Sequence, residues 1–161
     1  MNFYMPTRVY NEKDCVRRHS QELAALGSRA LIVTGRHSSR INGSLQDVEA
    51  ALIREKIPYA VFDEIEENPS VDTVMRARAV GISERADFVI GMGGGSPMDA
   101  AKAIALMIAN PDRDERLLYE AAETSPEGPV YPALPVAAVP TTAGTGSVSY
   151  THLTLPTNSR V

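Results

Sequence analysis

The residues of this chain best suited to chemistry form one short run, Gly91-Met92-Gly93-Gly94-Gly95-Ser96-Pro97-Met98-Asp99. Glycines let a backbone reach positive φ and let an anion approach without meeting Cβ atoms, and the free N–H groups at a helix start point at that anion. The run therefore suits a diphosphate cradle. Ser96 is expected as N-cap, with Pro97 at the first helical position and Asp99 at the third. The same residues also suit a capped glycine turn that holds no ligand, and the pattern is not the common G-x-G-x-x-G.

A second polar loop, Pro140-Thr141-Thr142-Ala143-Gly144-Thr145-Gly146-Ser147, offers hydroxyls and amides. If both loops leave the same end of one sheet, they face a common crevice. Alone, the second could be only a flexible connection.

The elements that must position these loops are visible as short apolar runs, each followed by helical spacing. Ala30-Leu31-Ile32-Val33-Thr34 is too short for a helix and rich in β-branched residues, so it reads as a buried strand. Gly35-Arg36-His37-Ser38-Ser39 follows as a loop. Ser44-Leu45-Gln46-Asp47 reads as a capping signal, with Leu45, Val48, Leu52 and Ile53 on one helical face. Tyr59-Ala60-Val61-Phe62 is a second strand, and Asn68-Pro69-Ser70 starts a helix carrying Val71, Val74 and Met75, with Arg78 at its polar edge. Phe88-Val89-Ile90 precedes the glycine run and a helix from Pro97 to about residue 109. Val136-Ala137-Ala138-Val139 is the last strand, ended by Pro140. A helix from about Asp14 to Leu26 precedes the whole. Residues 110–135, with Pro126, Pro129, Pro132 and Pro135, read as a surface loop. Apolar strands alternating with amphipathic helices imply an α/β fold, a parallel sheet covered on both faces.

The chain has 161 residues, enough for one domain with a real core but hardly for two. A net charge of -4 leaves no basic stripe for a nucleic-acid backbone. The single cysteine, Cys15, has no internal partner for a disulfide and reads as a bystander. No basic-then-apolar leader opens the chain and no stretch is apolar enough to cross a bilayer, so the expected location is cytoplasmic, without a membrane partner.

Two runs, Gly93 to Lys102 and Pro140 to Ser147, together resemble the hallmark motifs of the iron-dependent (group III) alcohol dehydrogenases. The likeness is expected to run from about Pro6 to Ser147. It implies a Rossmann-like domain similar to the N-terminal domain of dehydroquinate synthase, a nicotinamide dinucleotide as cofactor, and hydride transfer between alcohols and aldehydes or ketones. By this resemblance Gly93, Gly94, Gly95, Ser96 and Asp99 surround the diphosphate. Thr141, Thr142 and Thr145 look like the adenine and ribose loop, and Asn68 matches the family's Asn-Pro after the second strand. Many NAD-using relatives carry an aspartate in the loop after the first strand, whose carboxylate repels an added 2′-phosphate. Here that position is Gly35, with Arg36, Ser38 and Ser39 beside it, so NADP(H) is favoured over NAD(H); a solvated loop is the plainer reading of Arg36 and His37.

The family's Fe²⁺, or a related divalent ion, is held by an aspartate and three histidines in a helical C-terminal domain that is absent here. His19, His37 and His152 match no such motif; His19 reads as a helix-surface residue. Neither catalytic nor metal-ligating residues are assigned, and the 161 residues alone are expected to be inactive. A small alcohol or carbonyl substrate and a homodimer are the partners the resemblance suggests. A glycerol dehydrogenase or dehydroquinate synthase relative, with zinc, keeps the fold but lacks the full Pro-Thr-Thr-Ala-Gly-Thr-Gly-Ser run. A non-catalytic nucleotide-binding fragment is the reading from another class.

After Ser147 the family continues Glu-Val-Thr, whereas this chain continues Val148-Ser149-Tyr150. The dinucleotide-binding domain is therefore expected over 1–147, and residues 148–161 are expected to be a non-native tail. Resequencing the 3′ end of the source gene should show a junction near codon 148; an uninterrupted, full-length frame carrying the same tail rejects the idea.

Overall fold

A computed structural model describes residues 7–123, 131–141 and 151–156. The chain begins with strand β1 (Thr7–Glu12), then two short helices, α1 (Cys15–Arg18) and α2 (Ser20–Ala24). Strand β2 (Ala30–Val33) leads through α3 (Ser38–Ile41) and α4 (Ser44–Arg54) to β3 (Tyr59–Phe62). Helix α5 (Val71–Ser83) returns the chain to β4 (Phe88–Gly93), and α6 (Gly95–Ala109) and α7 (Arg116–Ala122) carry it to β5 (Val136–Pro140) and β6 (Thr151–Pro156). Among the described residues no helix is long and apolar enough to cross a membrane.

The six strands lie in the order β1-β6-β5-β4-β2-β3. Strands β2, β3, β4 and β5 are mutually parallel, as the apolar runs imply. β1 and β6, neither expected from the sequence, pair antiparallel and extend one edge. The sheet is therefore mixed, with a parallel centre. β2 and β4 are buried along their whole length, which is why they read as continuous apolar runs.

Helices cover both faces. Leu23, Leu45, Val48 and Leu52 pack with Ile32, Phe88, Ile90 and Met92 on one side. Val74, Ala77, Ile104, Met107 and Leu117 pack with Leu31, Val33 and Val89 on the other. Burying a side chain such as Phe88 or Ile104 completely contributes about 1.5–3 kcal/mol. The chain after β2 passes over the first face to β3, and the chain after β4 passes over the second face to β5. The two connections part between β2 and β4, and that divergence opens a crevice at the strands' carboxyl ends.

Several local expectations are corrected. The helix expected over 14–26 is broken at His19, whose φ of -112° closes α1 and precedes α2. The His19 ring is largely buried, stacked on Tyr10 at 3.7 Å and bonded to Glu12, so it ties the helix pair to β1 rather than lying on a helix surface. Ser44 is the first residue of α4, because Gly43, at φ 82°, takes the N-cap. Ile53 is exposed, not part of the apolar face. Residues 116–122 of the expected surface loop form α7, anchored by the fully buried Leu117. Arg78 is buried, not at a polar edge; its guanidinium donates to the carbonyls of Met107 and Asn110, completing the C-terminal end of α6. Burial pushes the Cys15 thiol up, which disfavours the thiolate that reactive cysteines need.

At the amino ends of the strands, the Asp87 carboxylate accepts from the amides of Ser28 and Arg29 and from the Ser28 hydroxyl at 2.7–2.9 Å. Burial alone would raise this carboxyl, but those hydrogen bonds outweigh it and hold it below its usual range. A group depressed in the folded state contributes stability above its unfolded pKa, and the contribution disappears as pH falls through the folded value. Urea unfolding followed from about pH 6 to about pH 2 should show stability falling on acidification, with a shallower fall in Asp87→Asn; identical slopes for the two proteins would remove Asp87 from the account.

Candidate functional site

The glycine run leaves the carboxyl end of β4 and enters α6. Gly91, still in the strand, faces the helix so closely that an added Cβ would lie 2.7 Å from Ala101 Cβ and 3.2 Å from the Pro97 carbonyl oxygen. Gly93 turns the chain with φ 128°, a conformation that demands glycine, above the Pro97 ring. Gly94 is the N-cap of α6 and Gly95 its first residue, and no side chain caps the helix. Ser96 and Pro97 are therefore second and third in the helix, two positions further in than the serine-cap reading implied. A Cβ added at Gly94 or Gly95 would meet none of the described residues within 4 Å. The first amides of this fifteen-residue helix stand at its positive end with no side-chain cap among the described residues.

The neighbouring loops are tied to this turn. Asn68 sits at φ 53° after β3, and its amide reaches the Ser96 hydroxyl at 3.5 Å. Its loop is shaped by Glu66, which accepts from the Ser70 amide and from the Thr73 hydroxyl at 2.5 Å. The Thr73 hydroxyl, then the Ser70 amide, hold the Glu66 carboxyl below its usual range. Ser70 in turn caps α5 by accepting from the Thr73 amide. On the other side, the Thr141 amide donates to the Gly93 carbonyl at 2.9 Å, and Gly93 is in register with Pro140. The first residue of the second polar loop therefore adjoins the glycine turn. Thr142 and Thr145 lie outside the described residues.

Across the crevice, Val33 is in register with Gly91, so the loop after β2 leaves the sheet at the level of the glycine run. Gly35 lies against the Ile65 carbonyl, 3.4 Å from where a Cβ would stand. Ser39, expected among the cofactor-binding groups, is fully buried and accepts a hydrogen bond from the Thr34 hydroxyl at 2.8 Å, so it shapes the loop from within. Arg36 and His37 are exposed. Ser38 opens α3, which lies beside β4. Asp99 is exposed on α6, one turn beyond the glycines. Gly93, Gly94, Gly95, Ser96, Asn68 and Thr141 are thus brought together, and Gly35 lies in the loop that follows the adjoining strand. Glu66 and Thr73, which build the loop carrying Asn68, were missed. The Ser-x-x-Thr spacing over 70–73 was the available signal.

A doubly wound α/β unit with an uncapped glycine turn at its switch point defines a class of ligand-binding domain. This chain belongs to the iron-containing alcohol dehydrogenase family, whose sequence profile matches residues 6–158. The match runs past Ser147, where the likeness had been expected to end. The chain is 36% identical over 120 residues to a long-chain primary alcohol dehydrogenase of Thermoanaerobacter ethanolicus, covering 74% of this chain and 29% of that one. It is 29% identical over 145 residues to NADH-dependent butanol dehydrogenase B of Clostridium acetobutylicum, covering 90% and 36%. The crystal structure of an iron-containing alcohol dehydrogenase from Thermotoga maritima superposes with a TM-score of 0.77 at 44% identity, over 91% of this chain and 39% of that one. The chain thus spans between 29% and 39% of these relatives, their N-terminal portion.

Two glycines of the run should respond oppositely to a methyl group. Gly91→Ala forces α6 off β4 and should lower unfolding free energy by about 1–3 kcal/mol. Gly95→Ala, with open space above it and a better helix former in place, should leave stability within about 1 kcal/mol of the parent. Equal losses in denaturant titrations would contradict the packing described.

Proposed function

We propose that this chain is the NAD(P)-binding N-terminal portion of a metal-dependent alcohol dehydrogenase, interconverting small alcohols and aldehydes or ketones by hydride transfer in the whole enzyme. The observation that carries the reading is the uncapped N-terminus of α6, opened by Gly94 and Gly95 onto the crevice. The family membership supports it. A dinucleotide's bridging diphosphate supplies the anion that these amides lack, and Thr141 and Asn68 stand beside the same turn. The nicotinamide, when bound, is the hydride carrier. Residues of this chain hold and orient it: the glycine turn takes the diphosphate, and the loop at Gly35 takes one ribose.

Among the described residues no group of three or more His, Cys, Asp or Glu is placed to hold a metal ion. These residues do not fit the family's metal, and no step is assigned to it here. The 161 residues bind cofactor without turning over alcohol.

NADP(H) is the favoured cofactor. Gly35 puts no carboxylate where a 2′-phosphate would stand, and Arg36 is exposed beside it. The NADH-dependent butanol dehydrogenase relative supports NADH as the second reading.

Thermal unfolding with NADPH, with NADH and without ligand tests both points. Saturation at about a hundred times Kd adds about 2.7 kcal/mol, which raises Tm by several degrees in a domain of this size. NADPH should give the larger rise, Gly95→Ala should abolish it, and no alcohol should reduce the oxidised cofactor. A folded chain whose Tm ignores both dinucleotides refutes the binding reading; a larger rise with NADH refutes the cofactor preference.

A further inference from the structure

The carboxylate of Glu64 stands between two arginines. One oxygen lies 3.6 Å from Arg36 in the loop after β2, and the other accepts a hydrogen bond from Arg76 of α5 at 3.1 Å. The two contacts are unequal in kind. Arg76 is held twice, by Glu64 and by its guanidinium lying 5.9 Å from the centre of the buried Phe62 ring. Among the described residues Arg36 is held by the longer contact alone, and its side chain is 66% exposed.

Backbone bonds fix this arrangement. The Thr34 amide donates to the Phe62 carbonyl, and the Ile65 amide to the Thr34 carbonyl, so the segment carrying Glu64 is laced to the residue before Gly35. The next arginine along the chain, Arg40 of α3, is paired with Asp63 at 2.9 Å.

We propose that Glu64 sets the balance between NADPH and NADH, by holding Arg36 loosely while Arg76 keeps the carboxylate neutralised. The inference rests on the NADP(H) reading of the Gly35 loop and adds the residues that regulate it. A 2′-phosphate beside Gly35 draws Arg36 from Glu64. The released carboxylate does not stand as a bare charge facing the phosphate, because Arg76 remains bonded to it. The exchange trades one exposed ion pair for a charge-assisted contact with phosphate, with no third group left unpaired.

Two substitutions in one ion-pair chain must then act in opposite directions. Glu64→Gln removes the competitor for Arg36 and should raise the preference for NADPH over NADH by about two- to fivefold, the range of an exposed charge pair. Arg76→Gln leaves Glu64 with Arg36 alone and should lower the preference by a similar factor. NADH, which lacks the phosphate, should bind with nearly unchanged Kd in both. Direct titration of the 161-residue chain with each reduced cofactor reads the ratio, and raising the salt concentration should shrink both effects.

If loss of the Phe62 contact prevents Arg76→Gln from folding, Arg36→Gln serves in its place and should lower the NADPH preference. Opposite shifts in the two ion-pair variants uphold the proposal. Unchanged ratios, or shifts of the same sign, in a parent that prefers NADPH overturn it while sparing the underlying cofactor reading. A parent that binds neither dinucleotide, or prefers NADH, overturns both.

Discussion

Helix α6 can lie where it does only because Gly91 presents a bare backbone to Ala101. A strand and a helix normally stand apart by the depth of their interposed side chains. Removing one brings the helix axis toward the sheet and sets the height at which its first amides emerge. Gly93 and the Pro97 ring then fix the angle of entry, and the Thr141 amide holds the turn from the neighbouring strand. Everything assigned to the crevice inherits its position from that seat. The hydrophobic packing of Ile104, Ala105 and Met107 further along the helix keeps it there.

Topology supplies the second constraint. Taken in order of appearance, the parallel strands lie across the sheet as second, first, third, fourth. The reversal falls between β2 and β4, where one loop carries Gly35 and the other Gly93 to Gly95. No residue has to be conserved in identity for such a cleft to exist; the divergence of two connections to opposite faces creates it. Residue chemistry then decides what enters. Here one connection opens with the glycine turn of α6, and the other carries Arg36 and Arg40, paired with Glu64 and Asp63.

The parallel centre of the fold was legible because buried strands are written as unbroken apolar runs, and Ala30–Val33 and Phe88–Ile90 are of that kind. β1 was not, since Val9 is exposed while Tyr10 packs inward, so no clean alternation marks the edge. The helix starts read at Ser44 and Ser96 were late, by one residue and by two. In both, a glycine took the capping position, and the serine's preference was overruled by backbone geometry that composition does not record. Arg78 was placed at a polar edge because charge alone suggests water, whereas its partners are carbonyls distant in sequence. The glycine run announced itself, but the ion pairs that join Arg36 to Glu64, and Arg40 to Asp63, link segments far apart in sequence and could not be read from spacing.

The buried guanidinium of Arg78 has a further consequence for the helix it terminates. The peptide dipoles of α6 sum to two opposite partial charges, and the negative one, at Met107 and Asn110, meets a full positive charge inside the protein. Asn110 adds its own amide to the Leu106 carbonyl in the same last turn. One pole of the helix is thereby quenched by the fold itself, while the other meets no capping side chain among the described residues. The helix behaves as a half-terminated electrostatic rod, whose remaining field is directed outward and is of the sign that attracts an anion.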